Sequence, residues 1–585
     1  MQKRIRLIII MQIIVLIACS IAIIKLNSRN SSVDIKLQQW TSPYINYEND
    51  AWHVDENSGI DERVDLLRGP GIYLEKGDYV VTVWYECDNR QSFQPHAEGI
   101  NDNYIKADSA KLDSNLSMSS YRFRVKEDID NFEILFRYNG KGSFSVFNIN
   151  IEKVENSGRI LTYLFLLCLL IDCTFFYFKL SYQKREEILA VLGITILISL
   201  PLFYKGLNGH DLIFHLMRIE GITKELRLSN FPVRISSAWM GEYGYPTSIF
   251  YGDILLYFPA VLRILGFTID EAYKIFVFLI NLATTVITNT CFGKIFKNKK
   301  IAFILTMTYS TSTYRIVNMY VRAAVGEFTA QLFIPVIAYA VYQIYTNNDS
   351  IKKNIINGTI LAIGMTGIVQ THILSAELVV FTLMIVCLSY IKRTLSLSVI
   401  RSFLIAIVET VLLCVGFLIP FLDYFFTVSV NITSRVSRGK NAIQGDGVNL
   451  AEFFAFFSNP FGSATEMLLT PGIFLIITLG VAIILWKKKQ ATKEMKTLTV
   501  FAVLTLFIST NLFPWNNLAH DISFFAILAQ VQFPYRFIGI AVIFITLLQG
   551  YILIHMEYEQ HIQFGLEKTE KISIGIGIVM MSLFI

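Results

Sequence analysis

Charged residues are scarce in this sequence. Asp, Glu, Lys and Arg together make up 17% of its 585 residues, against about 25% in typical soluble domains. Hydrophobic residues account for 53%, and a water-soluble fold could not cover that much apolar surface. The composition therefore argues against an ordinary soluble enzyme and indicates an integral membrane protein.

An excess of charge of one sign is also missing. The formal net charge is only +5, and Lys and Arg cluster at the ends of apolar runs. This distribution is typical of a membrane protein and argues against nucleic acid as a partner. Few proline residues and many Ile, Lys and Asn residues are typical of a low-GC, Gram-positive bacterium, so we expect the chain in a bacterial cell membrane.

Cysteine is scarce as well. The polar segment 27–157 has a single cysteine, Cys87, which excludes a disulfide within it. No Cys and His residues have the spacing of a zinc site, and the carboxylates outside this segment are scattered. We therefore predict no metal ion and no cofactor.

A short motif near the N-terminus allows two interpretations. Leu16 to Cys19 matches the lipobox of bacterial lipoproteins, so cleavage there would leave a lipidated Cys19. The apolar run continues from Ile21 to Ile24, however, where a lipoprotein normally turns polar. We favour a membrane anchor over residues 1–26 and keep the lipidated Cys19 as the alternative.

Thirteen apolar runs are candidates for transmembrane helices, which need about 20 residues each. They lie at residues 7–24, 159–179, 187–204, 271–293, 301–314, 328–345, 355–371, 375–391, 399–420, 471–486, 496–512, 535–557 and 572–585. The last run is short, which leaves open whether the native chain continues. The predicted fold class is mainly α, with about 12–13 transmembrane helices, and residues 158–585 form the polytopic domain.

The positive-inside rule orients these spans. Lys3, Arg4 and Arg6 place the N-terminus in the cytoplasm, and alternation then puts the other basic clusters on the same side. Residues 27–157 consequently face the outside. The apolar stretch 251–266 would break the alternation as a span, so we predict an interfacial or re-entrant half-helix there.

Alternating apolar and polar residues predict β-structure in the outer segment. The clearest strands are 79–86, 120–126 and 132–138, and Asn139-Gly140 is a typical hairpin turn. We predict an extracytoplasmic β-sandwich of the jelly-roll type over residues 27–157.

Aromatic residues of this segment allow two interpretations. The phrase GIYLEKGDYVVTV resembles sandwich modules that accompany carbohydrate enzymes, and a sugar-stacking platform is one possibility. We favour core positions for the four candidates, Trp40, Trp52, Trp84 and Tyr85.

Polar residues gather where the predicted spans meet the outer side. If residues 205–221 are helical, Asp211, His215 and Arg218 lie at i, i+4 and i+7 on one face. An ordinary amphipathic surface helix would give the same pattern. Charge near membrane depth is costly, however, so its presence indicates function.

Five phrases follow one another along the chain: HDLIFHLMRI, GEYGYPTSIFYG, YRIVNMYVRAAVGE, THILSAE and QFPYRF. This succession resembles the bacterial family of 6-pyruvoyl-tetrahydropterin-synthase-related polytopic membrane proteins, which is similar in layout to GT-C-type glycosyltransferases. The resemblance covers residues 187–557. It implies a GT-C-like core that transfers a sugar from a polyprenyl-phosphate carrier, with inversion, to a cell-envelope glycan or lipid acceptor. The chain has no compact three-histidine zinc site of the kind a pterin synthase needs.

The resemblance also implies roles for individual residues. Asp211 matches the acidic residue expected in the first outer loop and would act as general base toward the acceptor hydroxyl. His215 and Arg218 would orient Asp211 or the donor. Arginine suits a lipid phosphate because its planar fork donates two hydrogen bonds. The candidates for binding the donor or its lipid phosphate are Arg322, His372, Arg536, Arg234, Arg315, Arg435, Arg438 and Glu327.

Two other function classes stay open. A transporter or flippase would place charge near the bilayer midplane, and Asp172 and Glu409 lie within predicted spans. A non-catalytic envelope assembly protein would need none of the proposed chemistry. Each candidate residue also has a structural alternative, as a helix cap or as an interfacial side chain that reaches the headgroups.

Overall fold

The structure is a computed structural model that describes residues 32–560 with short gaps. The gaps are 34–35, 49–50, 56–57, 61–62, 90, 98–104, 107–109, 113–117, 154–155, 205–207, 238, 240–242, 347–349, 429–441 and 461–465. The predicted spans 7–24 and 572–585, together with Cys19, Arg435 and Arg438, lie outside the described residues.

The chain divides into two compact units. The first unit comprises the residues up to Ser181 together with Tyr204–Thr247 and Leu255–Phe276. The second unit comprises Tyr182–Phe203, Ser248–Ile254 and the residues from Val277 onward.

The first unit contains two antiparallel sheets. Their strands are β1 Ser32–Val33, β2 Tyr47–Glu48, β3 Ala51–Val54, β4 Val64–Arg68, β5 Ile72–Leu74, β6 Gly77–Cys87, β7 Gln91–Ala97, β8 Ile105–Lys106, β9 Ala110–Leu112, β10 Met118–Val125, β11 Ile129–Tyr138 and β12 Phe144–Lys153. Among the described residues one sheet has the order β2-β3-β12-β6-β10-β8, with β1 on β12, and the other β4-β11-β7-β9, with β5 on β11.

The two sheets face each other across one aromatic core. The Phe123 ring of β10 stacks on the Phe132 ring of β11 with centroids 5.0 Å apart. Strand β6, between β10 and β12, is buried from Tyr79 to Tyr85 on both faces, so its sequence is apolar on both faces apart from Thr82 and alternates less strictly than those of β10 and β11. The three strands predicted at 79–86, 120–126 and 132–138 correspond to β6, β10 and β11, whereas the jelly-roll connectivity and the outer location stay predictions.

The aromatic residues considered for a sugar platform are core residues. Trp40, Trp52 and Trp84 are at most 6% exposed, and Tyr85 is fully buried. A stacking platform needs exposed ring faces, so the structure supports the core interpretation.

Helices form the remainder of the described chain. They are α1 Asn156–Lys179, α2 Tyr182–Ile198, α3 Leu212–Arg227, α4 Thr247–Phe250, α5 Tyr257–Ile264, α6 Ile269–Phe296, α7 Lys299–Ser310, α8 Thr313–Ile316, α9 Val325–Ala330, α10 Ile334–Thr346, α11 Ile351–Val369, α12 Ile373–Ser389, α13 Ile391–Thr394, α14 Leu397–Thr427, α15 Ala442–Gly445, α16 Ile473–Lys487, α17 Lys493–Ile508, α18 Trp515–Asp521, α19 Ser523–Leu528 and α20 Phe537–Gln560. Short 3-10 turns at Leu200–Phe203, Leu450–Phe454, Ala529–Val531 and Pro534–Arg536 join some of them.

Fewer helices than predicted have the length and apolarity of a membrane span. In the described part of the chain, four helices are long and apolar enough to cross a membrane. They are Ile269–Phe296, Val325–Thr346, Leu397–Thr427 and Pro534–Met556. The other predicted spans between 159 and 512 also fall on helices, several of them shorter than 18 residues. The count of 12–13 spans therefore stays a prediction.

The predicted half-helix at 251–266 corresponds to one short helix. Helix α5 has eight residues, Tyr257–Ile264, too few to cross a bilayer core. This agrees with the prediction that the stretch is no span.

Candidate functional site

Several of the polar phrases meet around one buried carboxylate, that of Glu327 in the first turn of α9. Its Oε1 accepts hydrogen bonds from the Tyr314 hydroxyl at 2.5 Å and from the Asn318 amide at 3.0 Å. Its Oε2 accepts one from Arg322 Nη1 at 2.8 Å, and Arg536 Nε lies 3.4 Å from the same oxygen. We call these five residues the Glu327 cluster.

Two guanidinium groups share one carboxylate in the Glu327 cluster. Arg322 and Arg536 are each at most 6% exposed, and a buried charge is costly unless it is paired. The single charge of Glu327 balances one of these two positive charges. Arg536 Nη1 donates to the Val531 carbonyl at 2.6 Å, while its Nε has no hydrogen-bond partner among the described residues.

The backbone beside the cluster departs from a regular helix. Val317–Val321 forms a π-helical turn directly after α8, and such turns are frequent at functional sites. Ala323 then takes a φ of +52°, a conformation that costs free energy for a residue with a Cβ. Because the chain turns here, Arg322 and Glu327 can meet across only five residues of sequence.

Two further phrases pack against the start of α9. A Cβ at Gly326 would lie 2.9 Å from Tyr251 Cε1 and 3.0 Å from His372 Cδ2. A Cβ at Gly252 would come within 2.1 Å of the Gln370 carbonyl oxygen. Both glycines are therefore needed for close approach, and the residue after Gly326 is Glu327 itself.

His372 is the N-cap residue of α12 and is 3% exposed. Its side chain makes no capping hydrogen bond to the helix backbone, so the capping alternative is not supported. Its Nδ1 instead lies 2.7 Å from the Ser375 hydroxyl, and its ring centroid is 6.0 Å from that of Tyr251.

Arg315 lies apart from these contacts in a buried polar row. It is 2% exposed, and its Nη2 donates to Asn281 Oδ1 at 3.2 Å and to the Thr284 hydroxyl at 3.0 Å. Its Nε and Nη1 have no hydrogen-bond partners in the part of the chain that the structure describes. A buried guanidinium in which two of the three nitrogens have no partner is a costly arrangement.

The first unit holds the candidate base. Asp211 is partly buried and is the N-cap residue of α3, which begins at Leu212. His215 and Arg218 follow within the helix and are buried, and Arg218 Nη1 donates to His215 Nδ1 at 3.2 Å. This contact assigns the neutral imidazole its proton on Nε2.

The other side of α3 is buried as well. Leu212, Leu216 and Ile219 are at most 1% exposed. A surface helix would leave one face in water, so the interpretation of α3 as an ordinary amphipathic surface helix is not supported.

Helix α3 is joined to the β-sandwich by buried ion pairs. Arg263 of α5 donates hydrogen bonds to Glu152 of β12 and, at 2.6 Å, to Glu220 of α3. Arg227 of α3 also donates to Glu152 at 3.3 Å. We call these four residues the Glu152 cluster, and it ties the helix that follows Asp211 to the last strand of the sandwich.

Burial and charge act in opposite directions on the two carboxyls of this cluster. Burial alone would raise the pKa of Glu152, but the charges of Arg263 and Arg227 outweigh it and lower that pKa to about 2. Burial raises the pKa of Glu220 above its ordinary value, despite the opposing charge of Arg263. Arg263 thus stabilises mainly the ionised form of Glu152.

The remaining candidates are not brought into these clusters. Arg234 is partly buried in the first unit. Within the described residues no group of three or more His, Cys, Asp or Glu side chains could hold a metal ion. The expectation of a metal-free site stays a prediction.

No family model matches the sequence. The resemblance to the 6-pyruvoyl-tetrahydropterin-synthase-related family therefore stays a prediction. An uncharacterized protein of Lactococcus lactis subsp. cremoris (strain MG1363) is 22% identical over 352 residues, which cover 56% of this chain and 54% of that protein. The chain thus spans about half the length of the curated relative that it matches.

Among solved structures, the chain is similar to the archaeal oligosaccharyltransferase AglB from Archaeoglobus fulgidus in complex with an inhibitory peptide and a dolichol-phosphate. The TM-score is 0.41 at 14% identity, over 68% of this chain and 56% of that one. The Archaeoglobus fulgidus oligosaccharyltransferase in the apo form gives a TM-score of 0.39 at 14% identity, over 70% of this chain and 56% of that one. A likeness of this size assigns neither family nor activity.

Sequence reasoning missed two members of the Glu327 cluster. Tyr314 and Asn318 lie inside a phrase that was singled out, but neither was named as a site residue. A signal was present, because Tyr314, Asn318 and Arg322 recur every four residues, the spacing of one helix face. Uncharged side chains lack the burial cost that makes an arginine stand out in an apolar run, although here they donate two of the hydrogen bonds to Glu327.

Proposed function

We propose that this chain is a GT-C-like glycosyltransferase that moves a sugar from a polyprenyl-phosphate carrier to a cell-envelope acceptor at the outer face of a bacterial membrane. The observation that carries the proposal is the Glu327 cluster, in which two buried arginines share one carboxylate. It is supported by four helices long and apolar enough to cross a membrane. The β-sandwich, with a jelly-roll fold, would then lie outside the cytoplasm.

The arginines of the Glu327 cluster would hold the donor phosphate. As the bond from the sugar to the phosphate breaks, negative charge grows on the departing group and must be stabilised. Arg322 and Arg536 offer fixed guanidinium donors in a desolvated setting, and Glu327 orients them. Arg536 Nε, buried without a hydrogen-bond partner in the described chain, is one donor that an incoming oxygen could use.

Asp211 would act as the general base. An inverting transfer needs one base, which takes the proton of the acceptor hydroxyl as its oxygen attacks the anomeric carbon. The lipid phosphate leaves with the electron pair of the broken bond. His215 and Arg218, in contact with each other in the turns after Asp211, would fix the start of α3.

The test is an assay of the purified full chain with radiolabelled polyprenyl-phosphate sugars and an extract of envelope acceptors. We expect label transfer by the wild type and a loss on the order of 10²–10⁴ in rate for Asp211→Asn, because a positioned base contributes that much. Asp521→Asn is the matched control, since this carboxylate is exposed and pairs with His520. No turnover of any donor by the wild type, or equal rates for the two variants, would contradict the proposal.

Transport of a lipid-linked intermediate is a second candidate that one observation favours. Arg315 is a buried cation that donates hydrogen bonds to Asn281 and Thr284, as expected along a path for a polar headgroup. Reconstituted vesicles distinguish the two functions. A flippase moves a fluorescent lipid-linked sugar across the bilayer unchanged, whereas a transferase changes its chemistry at one leaflet.

A further inference from the structure

A cavity of about 340 Å³ lies within the second unit, away from any residue assigned above. Its volume falls in the range of sites that hold small molecules. Helices α10, α12, α17 and α20 supply most of its wall. Representative apolar lining residues are Ile337, Val379, Phe501, Ile540, Phe544 and Leu547.

Both charged lining residues and several polar ones come from one end of these helices, whereas Thr382 lies inside α12. Thr346 is the last residue of α10, Tyr390 directly follows α12, Arg393 belongs to the short helix α13, and Glu494 lies in the first turn of α17. The apolar lining residues come from helix interiors. The cavity is therefore an apolar chamber with a polar end that carries one arginine and one carboxylate.

This polar end is remote from the Glu327 cluster. Helix α20 begins one residue after Arg536, and its lining residue Tyr551 comes 15 positions after Arg536, about 22 Å along a helix. Helix α10 likewise begins shortly after Glu327 and ends at Thr346, which lines the polar end of the cavity. Glu327 and Arg536 thus precede the starts of these two helices, and the cavity lies farther along them.

We propose that this cavity binds one hydrocarbon chain of a membrane phospholipid, with the lipid phosphate at Arg393. Two of the helices able to cross a membrane, Val325–Thr346 and Pro534–Met556, form its walls, so bilayer lipid is the apolar molecule at hand. Burying a chain against such walls is favourable by about 25 cal/mol per Å². The Arg393 fork suits a phosphate.

The remaining polar groups fit the same ligand. Tyr342, Tyr345, Tyr390 and Tyr551 line the cavity, and tyrosine is enriched at the depth of lipid headgroups. Glu494 can pair with the ammonium group of a zwitterionic phospholipid such as phosphatidylethanolamine, a group that phosphatidylglycerol lacks. Lipid binding in this cavity requires no transfer reaction, so it can be tested independently of the proposed function.

The test uses the full chain in vesicles of phosphatidylethanolamine and phosphatidylglycerol, each lipid in turn carrying a photoreactive diazirine in one acyl chain. After illumination, mass spectrometry locates the adducts. We expect them on cavity residues such as Val341, Leu383 and Phe501, with a several-fold preference for phosphatidylethanolamine. Adducts only on outward-facing residues would overturn the proposal.

Two neighbouring residues of α12 provide matched variants. Val379 lines the cavity, whereas Val380 does not and is 44% exposed. Val379→Trp should reduce the cavity adducts at least five-fold by filling the space, and Val380→Trp should leave them unchanged. Equal adduct yields in the two variants would contradict the proposed site.

The headgroup contact has its own pair of variants, which also serves if Val379→Trp fails to fold. Arg393→Gln should lower the cavity adducts, and Lys392→Gln, at an exposed residue that does not line the cavity, should not. If a diazirine-labelled alkane labels the cavity as strongly as the labelled phospholipid, the phosphate does not contribute to binding. If cavity residues cross-link to residues 561–585 of the chain and carry no lipid adduct, that segment occupies the cavity and the lipid proposal is wrong.

Discussion

Glu327 organises the candidate site because it accepts hydrogen bonds from three donors and pairs with a second guanidinium, that of Arg536. Removing its charge leaves Arg322 and Arg536 buried beside a neutral amide, and an uncompensated buried charge costs about 3–5 kcal/mol. We expect Glu327→Gln to lower the free energy of unfolding by that amount, measured by denaturant titration in detergent. Glu409→Gln, at a carboxylate bonded to the Thr359 hydroxyl, is the comparison, and equal losses would contradict the special role of Glu327.

Arg322 should matter through its shape as well as its charge. Lysine keeps the positive charge but lacks the planar guanidinium, whose Nη1 donates to both Glu327 and Asn318 and whose other N–H groups suit a phosphate. We expect Arg322→Lys to raise KM for the lipid-linked donor about ten-fold or more with a smaller fall in kcat, since phosphate binding is lost before chemistry. Arg401→Lys on α14 serves as control, and a change confined to kcat would argue against a phosphate contact.

Replacing Arg315 should reduce activity without reducing the free energy of unfolding. Two nitrogens of its guanidinium have no partner among the described residues, and replacing such a buried charge with an apolar side chain is often neutral or stabilising. We expect Arg315→Met to unfold no more easily than the wild type while its transfer or transport activity falls. A marked loss of stability would show that Arg315 has a structural role.

At the scale of elements, the Glu152 cluster connects the β-sandwich to α3. Glu152 accepts hydrogen bonds from two charged groups, and such bonds contribute about 1.5–3 kcal/mol. We expect Glu152→Gln to lower the free energy of unfolding by about 2–3 kcal/mol. Glu75→Gln should change it by less than about 1 kcal/mol, because Glu75 pairs with Lys153 at the surface; equal effects would contradict the importance of burial.

The free energies of unfolding of the wild type and Glu152→Gln should depend differently on pH. The pKa of Glu152 is lowered to about 2 from an ordinary value of 4.5, so its stabilising contribution is present above about pH 4.5 and is lost as pH falls toward 2. The difference in unfolding free energy between wild type and Glu152→Gln should shrink over that window. Glu220 has the opposite sign, since its raised pKa favours the folded state at lower pH. The Glu152 charge helps to raise that pKa, so Glu152→Gln alters this contribution too, but the contribution changes with pH above about 4.5, outside this window. A difference that stays constant with pH would contradict the lowered pKa.

Regular elements were largely predictable from the sequence, and their interruptions were not. Strands β6, β10 and β11 follow from period-two alternation, and α6 and α20 follow from long apolar runs. The prediction of one span at 301–314 missed the break between α7 and α8 and the π-helical turn after it. No proline or glycine lies in residues 310–323 to mark these interruptions. Asp211 and Arg322 are candidates because the resemblance implies roles for them, whereas the contacts of Glu327 with Tyr314 and Arg536 are seen only in the fold.

At the scale of the whole molecule, the orientation of the sandwich can be tested directly. The basic clusters predict that residues 27–157 lie outside the cytoplasm and Lys487 inside. We expect a membrane-impermeant maleimide to label Lys141→Cys in intact cells and Lys487→Cys only after permeabilisation, with the unsubstituted protein giving the background. Labelling of Lys487→Cys alone in intact cells would invert the topology.

The first compact unit is assembled from three separate stretches of chain, the last of which ends at Phe276. During synthesis, Glu152 leaves the ribosome more than 100 residues before Arg263 does. The buried carboxylate of Glu152 therefore has no arginine partner until later segments of the chain have been synthesised. If it were excised at residue 157, it would carry an unpaired carboxylate on its last strand, and such a fragment would be a poor substitute for the intact protein in glycan-binding experiments.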